Sequence, residues 1–219
     1  MNIAVIFAGG IGSRMHSKAR PKQFLELHGK PIIVHTLEVF QNSKEIDAIV
    51  IACIASWIDT THDLIKKYGL NKVKEIVPGG DTSQMSIFNG LCAAERISQN
   101  SQDIVLIHDG VRPLINEKVI ADNIVSVKKY GSAITSIKVI ETVLVVDKDG
   151  NIKNVPNREE TRLARAPQSF YLKDILLNHR KALDENKCDF IDSCSLMHYY
   201  GGAMHLIEGP WENIKITTP

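Results

Sequence analysis

The chain lacks an excess of charge of either sign: 26 Lys and Arg against 25 Asp and Glu leave a formal net charge of +1 over 219 residues. No nucleic-acid surface or acidic tail is expected from that balance, so any strong positive potential has to be local. Cysteine is scarce. Cys53, Cys92, Cys188 and Cys194 form no CxxC pair, which leaves neither metal-ligand spacing nor a disulfide framework. The eight histidines make no HxH or HExxH pattern, and no GxSxG elbow occurs; covalent catalysis has no strong candidate nucleophile. No apolar run approaches the ~18 residues of a membrane span. The start carries no charged n-region and does not read as a signal peptide. A cytoplasmic protein with no membrane and no nucleic-acid partner is expected.

What is present is ordinary globular material, 44% hydrophobic and 23% charged, enough for a single domain over 1–219. Apolar β-branched runs at Ile3–Phe7, Ala48–Cys53, Val73–Val77 and Ile104–His108 read as strands. Amphipathic spacing over Ile32–Phe40, Trp57–Tyr68 and Ser86–Ile97 reads as helices between them. The alternation predicts an α/β fold with a mostly parallel sheet flanked by helices, its ligand crevice at the strands' carboxyl ends. From Ser132 the pattern changes. Ala133–Ile140 and Thr142–Val146 are β-rich, Asp149-Gly150 is a hairpin turn signal, and Ile152–Arg165 is polar. Residues 139–165 therefore predict a protruding β-arm, and a second subunit is the simplest surface for it to lie on. Helices near Tyr171–Leu183 and Ile191–Tyr200 and strands Met204–Glu208 and Asn213–Thr217 complete the expected order.

The richest segment follows the first strand: Ala8-Gly9-Gly10-Ile11-Gly12-Ser13-Arg14-Met15, then Lys18, Arg20, Pro21 and Lys22. Glycines permit a turn whose N–H groups converge on an anion. The dinucleotide fingerprint would end in Gly or Ala where Met15 stands, and it has no use for so basic a loop. A triphosphate would use it, though a tight turn with solvated charges also accounts for the pattern. His108-Asp109-Gly110-Val111-Arg112-Pro113 closes the Ile104 strand. There Asp109 is placed either to hold Mg²⁺ beside phosphate oxygens or simply to pair with Arg112. Lys215 sits between two isoleucines, positioned either for solvent or for a phosphate. Gly79-Gly80-Asp81-Thr82-Ser83 leads into a helix where Ser86 and free N–H groups could face a base or sugar.

Taken in order, AGGIGSRM, PKQ, HDGVRP, APQSF (Ala166–Phe170) and NIKITTP resemble the sugar- and polyol-phosphate cytidylyltransferases over essentially the full chain. Of the branches acting on ribitol 5-phosphate and on 2-C-methyl-D-erythritol 4-phosphate, the Gly-Gly-Ile-Gly-Ser-Arg-Met and Pro-Gln-Ser-Phe forms look nearer the first. The resemblance implies a Rossmann-like nucleotidyltransferase, homodimeric through its arm, with Mg²⁺ or another divalent cation as cofactor. It implies CTP and a polyol phosphate as partners, and CDP-ribitol, a cell-surface polysaccharide or teichoic acid precursor, as product. Arg14, Lys22 and Lys215 match the catalytic cations. Ala8, Gly9, Gly10, Gly12, Gly80, Ser86 and Asp109 match the nucleotide site, with Asp109 also on the metal. Arg112, Thr142 and Arg158 match acceptor-binding positions, the last two reaching an opposing subunit's site. Two departures stand out. Ser83 occupies a position where relatives commonly carry Arg, and the sequence stops at Pro219 where relatives continue into a short helix. A nucleotide-binding module without turnover is the rival reading. An NAD-dependent oxidoreductase is disfavoured by Met15 and the basic loop.

Overall fold

The computed structural model describes residues 1–10 and 20–217. In chain order the first half runs β1 (Asn2–Ala8), β2 (Glu26–Leu27), β3 (Lys30–Pro31), α1 (Ile32–Asn42), β4 (Ala48–Cys53), α2 (Ile58–Tyr68), β5 (Val73–Pro78), α3 (Ser83–Ile97) and β6 (Ile104–Asp109). It continues through α4 (Glu117–Tyr130), β7 (Ser132–Lys138), β8 (Val145–Val146), β9 (Ile152–Asn154), β10 (Arg162–Tyr171), α5 (Leu172–Asp184), α6 (Ser193–Tyr199) and β11 (Leu206–Glu208). The main sheet has the order β11-β7-β10-β6-β1-β4-β5. Strand β10 alone runs against its neighbours, antiparallel to both β6 and β7.

Burial on both faces explains the unbroken apolar runs of β1, β4 and β6. Along β1, Ala4, Ile6 and Ala8 pack under α1, α2 and α4, while Ile3 and Val5 pack under α3, α5 and α6. Helix α3 lies so close to β1 that a Cβ at Gly90 would stand 2.6 Å from Val5 Cγ1. Its start, three residues before the predicted one, is set by Thr82, whose hydroxyl accepts from the Met85 N–H at 3.1 Å. Successive strands leave β1 toward β4 on one side and β6 on the other. The carboxyl ends of β1 and β6 therefore border a crevice at the switch point.

Three segments depart from the sequence reading. Strand β10, a central member of the sheet, falls where the polar arm and the start of a helix were expected. Its residues 162–164, counted with the arm, pair with β7 from Lys138 to Ser136. The strand hides because its burial is polar: Ser169 Oγ donates to Asn123 Oδ1 at 2.7 Å, and Gln168 Nε2 donates to Asp192 at 2.8 Å. Pro167 sits in the irregularity between Ala164 and Gln168, where a ladder tolerates proline. Helix α4, unassigned in the sequence, is capped by Asn116 and tied to β7 through Asn123 and Thr135. Residues 213–217 form no strand; they lie against the loop after β6, with the Ile216 N–H donating to the Val111 carbonyl. The predicted hairpin narrows to β8 and β9 around the Asp147–Gly150 turn, with Val145, Val146 and Ile152 exposed. No helix among the described residues is long and apolar enough to cross a membrane.

Two buried histidines make stability depend on pH. His179 stacks near Phe88 with neither ring nitrogen hydrogen-bonded among the described residues, and burial pushes its pKa down to about 4. Burial likewise lowers His108 to about 4, against the opposing pull of Asp109. Both folded values lie below the ordinary value of about 6.5, so the unfolded chain binds more protons as pH falls. The stabilisation is complete above pH ~6.5 and is lost progressively toward pH ~4, by at most about 1.4 kcal/mol per pH unit for each ring. Urea midpoints measured at pH 7, 6 and 5 should fall accordingly, and His179→Phe should flatten that fall. An unchanged slope in the variant would remove His179 from this account.

Candidate active site

A cleft of about 450 Å³ opens at the carboxyl ends of β1, β5 and β6. Phe7 to Gly10 form one wall, Gly80 to Ser83 with Ser86 another, and Lys22, Asp109 and Lys215 complete the lining with Gln23 and Val111. The two glycine turns meet there. A Cβ at Gly9 would lie 2.6 Å from Ser86 Oγ, so the loops approach this closely only because side chains are absent. Ser86 ties its own loop together: its hydroxyl accepts from the Gly80 N–H at 3.0 Å and donates to the Thr82 carbonyl at 3.0 Å. Gln23 does the same for β1, donating Nε2 to the Ala8 carbonyl at 2.6 Å from a buried position.

Charge gathers around Asp109. Its carboxylate accepts from Arg112 Nε at 2.7 Å and from Lys215 Nζ at 2.6 Å. Burial works to raise its pKa, but Lys215 and then Arg112 overcome it and hold the carboxyl below its usual range. The sequence offered Asp109 a partner in Arg112 or a role at the ligand; the geometry gives it the first while leaving it on the cleft wall. Lys215 lies on a non-strand segment, its ammonium 5.8 Å from the centre of the Phe7 ring. Lys22, only 9% exposed, donates to the Ile216 carbonyl at 3.1 Å. His108 has an Nε2 contact of 3.3 Å with the Arg112 carbonyl and lies wholly inside, away from both clefts.

An adjoining cleft of about 180 Å³ shares Phe7, Ser83, Asp109 and Lys215 with the first. Arg112 lies here, together with Arg165, Gln168, Asp192 and Ser193. Sequence reasoning passed over these last four because β10 and the α6 cap were not recognised as reaching the sheet's functional edge. Arg112 and Arg165 both donate to the Asn213 carbonyl, at 2.9 and 3.1 Å. Burial, then the charge of Arg112, lowers the pKa of Arg165.

Of the predicted site residues, Ala8, Gly9, Gly10, Lys22, Gly80, Ser86, Asp109 and Lys215 share one cleft and Arg112 the next. Arg14 and Gly12 lie outside the described residues. Thr142 and Arg158, within the segment 139–165, are exposed and line neither cleft; Arg158 Nη1 donates to the Ile140 carbonyl at 3.3 Å. Asp81 and Asp109 are the carboxylates on the larger cleft. Among the described residues no group of three His, Cys, Asp or Glu stands together as a metal site.

Known proteins match this arrangement along its whole length. The chain is 55% identical to a ribitol-5-phosphate cytidylyltransferase of Streptococcus agalactiae, over all of this chain and 91% of that protein. It is 41% identical to a 2-C-methyl-D-erythritol 4-phosphate cytidylyltransferase of Clostridium novyi, over all of this chain and 92% of that one. The crystal structure of 4-diphosphocytidyl-2C-methyl-D-erythritol synthase from Anaerococcus prevotii superposes with a TM-score of 0.84 at 30% identity, covering 99% of this chain and 90% of that one. The family model described as IspD, 2-C-methyl-D-erythritol 4-phosphate cytidylyltransferase, matches residues 2–219. The chain therefore belongs to the IspD family and is a cytidylyltransferase, an enzyme of the nucleotidyltransferase class.

Proposed function

We propose that the enzyme transfers CMP from CTP to D-ribitol 5-phosphate, giving CDP-ribitol and pyrophosphate. The observation that carries the reaction is the meeting of Lys22, Lys215 and Asp109 in one cleft beneath two glycine turns. The 55% identity to the ribitol enzyme, against 41% to the methylerythritol one, favours the acceptor. Methylerythritol 4-phosphate stands second because the matching family model carries its name.

The chemistry asks for little beyond charge and position. A phosphate monoester, with its second pKa near 6, is largely dianionic at neutral pH and attacks the α-phosphorus without a general base. The neutral, enclosed His108 suits that mechanism. The obstacle is repulsion between two anions. Lys22 and Lys215, with Arg14 of the basic loop, neutralise the charge that builds on the phosphorus oxygens and on departing pyrophosphate. The loop around Gly9, Gly10 and Gly12 and the Gly80–Ser86 turn hold the nucleotide. Each Asp109 oxygen retains a lone pair beyond its bond to Arg112 or Lys215. That donor set fits Mg²⁺, which takes one or two protein carboxylates and otherwise water and phosphate oxygens. When bound, the ion would supply further neutralisation of the triphosphate.

Thr142 and Arg158 line neither of the two clefts described above, which suits a role in the site of a second subunit. The exposed Val145, Val146 and Ile152 of the β8–β9 hairpin suit burial in the homodimer that such sharing needs. The substrates of this reaction are those of a cytoplasmic enzyme.

Pyrophosphate release from CTP and Mg²⁺ should occur with ribitol 5-phosphate and be much slower with methylerythritol 4-phosphate; no turnover with the former overturns the acceptor. Lys22→Ala should lower kcat by about 100- to 1,000-fold and move the KM for CTP only a few-fold, since its charge acts mainly in the transition state. An unchanged kcat would contradict that role. Arg158→Ala should raise the acceptor KM and spare CTP binding, and its mixed dimers with a Gly10→Val chain should regain activity. Failure to complement would argue against a shared site.

A further inference from the structure

The smaller cleft holds two polar side chains that the chemistry above leaves without a task. It meets the nucleotide cleft at Asp109 and Lys215, and beyond that junction its wall carries Arg165 and Ser193 beside Ile87, Ile107 and Ile191. Their neighbours are already engaged. Gln168 donates to Asp192 Oδ2 at 2.8 Å and accepts from the Cys194 N–H at 2.8 Å. The other Asp192 oxygen caps α6 through the Ser195 N–H at 2.8 Å. This network fixes the first turn of α6 and leaves Ser193 over. Ser193 is 2% exposed, and its hydroxyl has no hydrogen-bond partner among the described residues. Buried hydroxyls are rarely left so, because the lost water is then not replaced.

Arg165 is in a similar position. Its one hydrogen bond among the described residues, to the Asn213 carbonyl, uses a fraction of the five N–H donors of a guanidinium. No carboxylate pairs with it among the described residues; Asp109 is shared between Arg112 and Lys215. A half-buried guanidinium beside a second one, without an acid of its own, is costly to keep unless a ligand supplies oxygen acceptors.

We propose that Arg165 and Ser193 hold the hydroxyls of the acceptor's polyol chain and thereby select the acceptor. The inference rests on the polyol-phosphate reading above. An attacking phosphate has to lie by Lys215 at the junction, so the rest of the acceptor extends into the smaller cleft. The parallel N–H groups of a guanidinium span two neighbouring oxygens, which matches a vicinal diol. The Ser193 hydroxyl both donates and accepts, and takes a further hydroxyl. The isoleucines meet the C–H faces of the chain. An acceptor lacking these hydroxyls leaves both side chains unpaired, which is how hydrogen-bonding sites reject deoxy analogues.

The test compares the full chain with Arg165→Lys and Ser193→Ala by steady-state pyrophosphate release. Acceptors are ribitol 5-phosphate and its monodeoxy analogues. Arg165→Lys keeps the charge and removes the fork. It should raise the ribitol 5-phosphate KM about 10- to 100-fold, and Ser193→Ala about 10-fold, with the CTP KM within about 3-fold of wild type. Each variant should also lose its preference for ribitol 5-phosphate over the analogue missing the hydroxyl it held. A merely structural role would instead shift CTP and acceptor parameters together with the melting temperature, and that outcome overturns the proposal. So does a wild-type acceptor KM and discrimination in both variants, in which case the substrate reading stands alone. Wild-type protein inactive on ribitol 5-phosphate refutes the substrate reading itself, and the inference with it.

Discussion

A carboxylate shut away from water stays charged only if other charges replace its hydration, and Asp109 is compensated from two directions. Arg112 comes from the turn that follows β6, and Lys215 from a segment more than a hundred residues later. Around this pair the terminal segment is stitched to the sheet edge. Arg112 and Arg165 grip the Asn213 carbonyl, Asn213 Nδ2 donates to the Ala166 carbonyl at 2.7 Å, and Lys22 holds the Ile216 carbonyl. Arg112 and Asp109 are the buried members, and removing Asp109 would leave the Arg112 guanidinium buried without its counter-charge, a change that typically costs about 3–5 kcal/mol. The ionic contact that anchors the segment is thus also the one that sets Lys215 on the cleft wall.

This double use shapes the electrostatics of the cleft. Asp109 tethers Lys215 and Arg112, which fixes both cations in place and offsets part of their field. Preorganised charges stabilise a developing anion without having to reorient when it forms. Lys22 reaches the same terminal segment by donating to the Ile216 carbonyl, so it too is tied to the element that carries Lys215.

How much of this could be read in the sequence depended on what each segment buries. β1, β4, β5 and β6 were legible because apolar runs bounded by polar residues have few other readings. β10 was not, since Gln168 and Ser169 are buried through specific hydrogen bonds that no periodicity reports. The strand assigned to residues 213–217 failed for the opposite reason: alternating Ile and Lys fit a strand, yet the segment is held by side chains from elsewhere. In the site, Lys22, Asp109 and Lys215 were found because their motifs follow strand ends or resemble a family pattern. Arg165 and Ser193 carried no such mark. What distinguishes them is hydrogen-bonding capacity left over, a property of the assembled cleft and not of spacing.

The position of β10 has a consequence for how the molecule is made. Ribosomal synthesis delivers β1, β4, β5 and β6 within the first 109 residues, and these four pair side by side. The outer flank of β6, however, must wait for Arg162–Tyr171, which emerges after β7 has already been made. Until then a largely apolar strand presents unsatisfied backbone to its surroundings, the kind of edge that recruits other chains. Lys215 follows later still. A nascent chain therefore builds the glycine turns, Asp109 and Arg112 early, but gains the second cation on that carboxylate only after residue 215 has emerged.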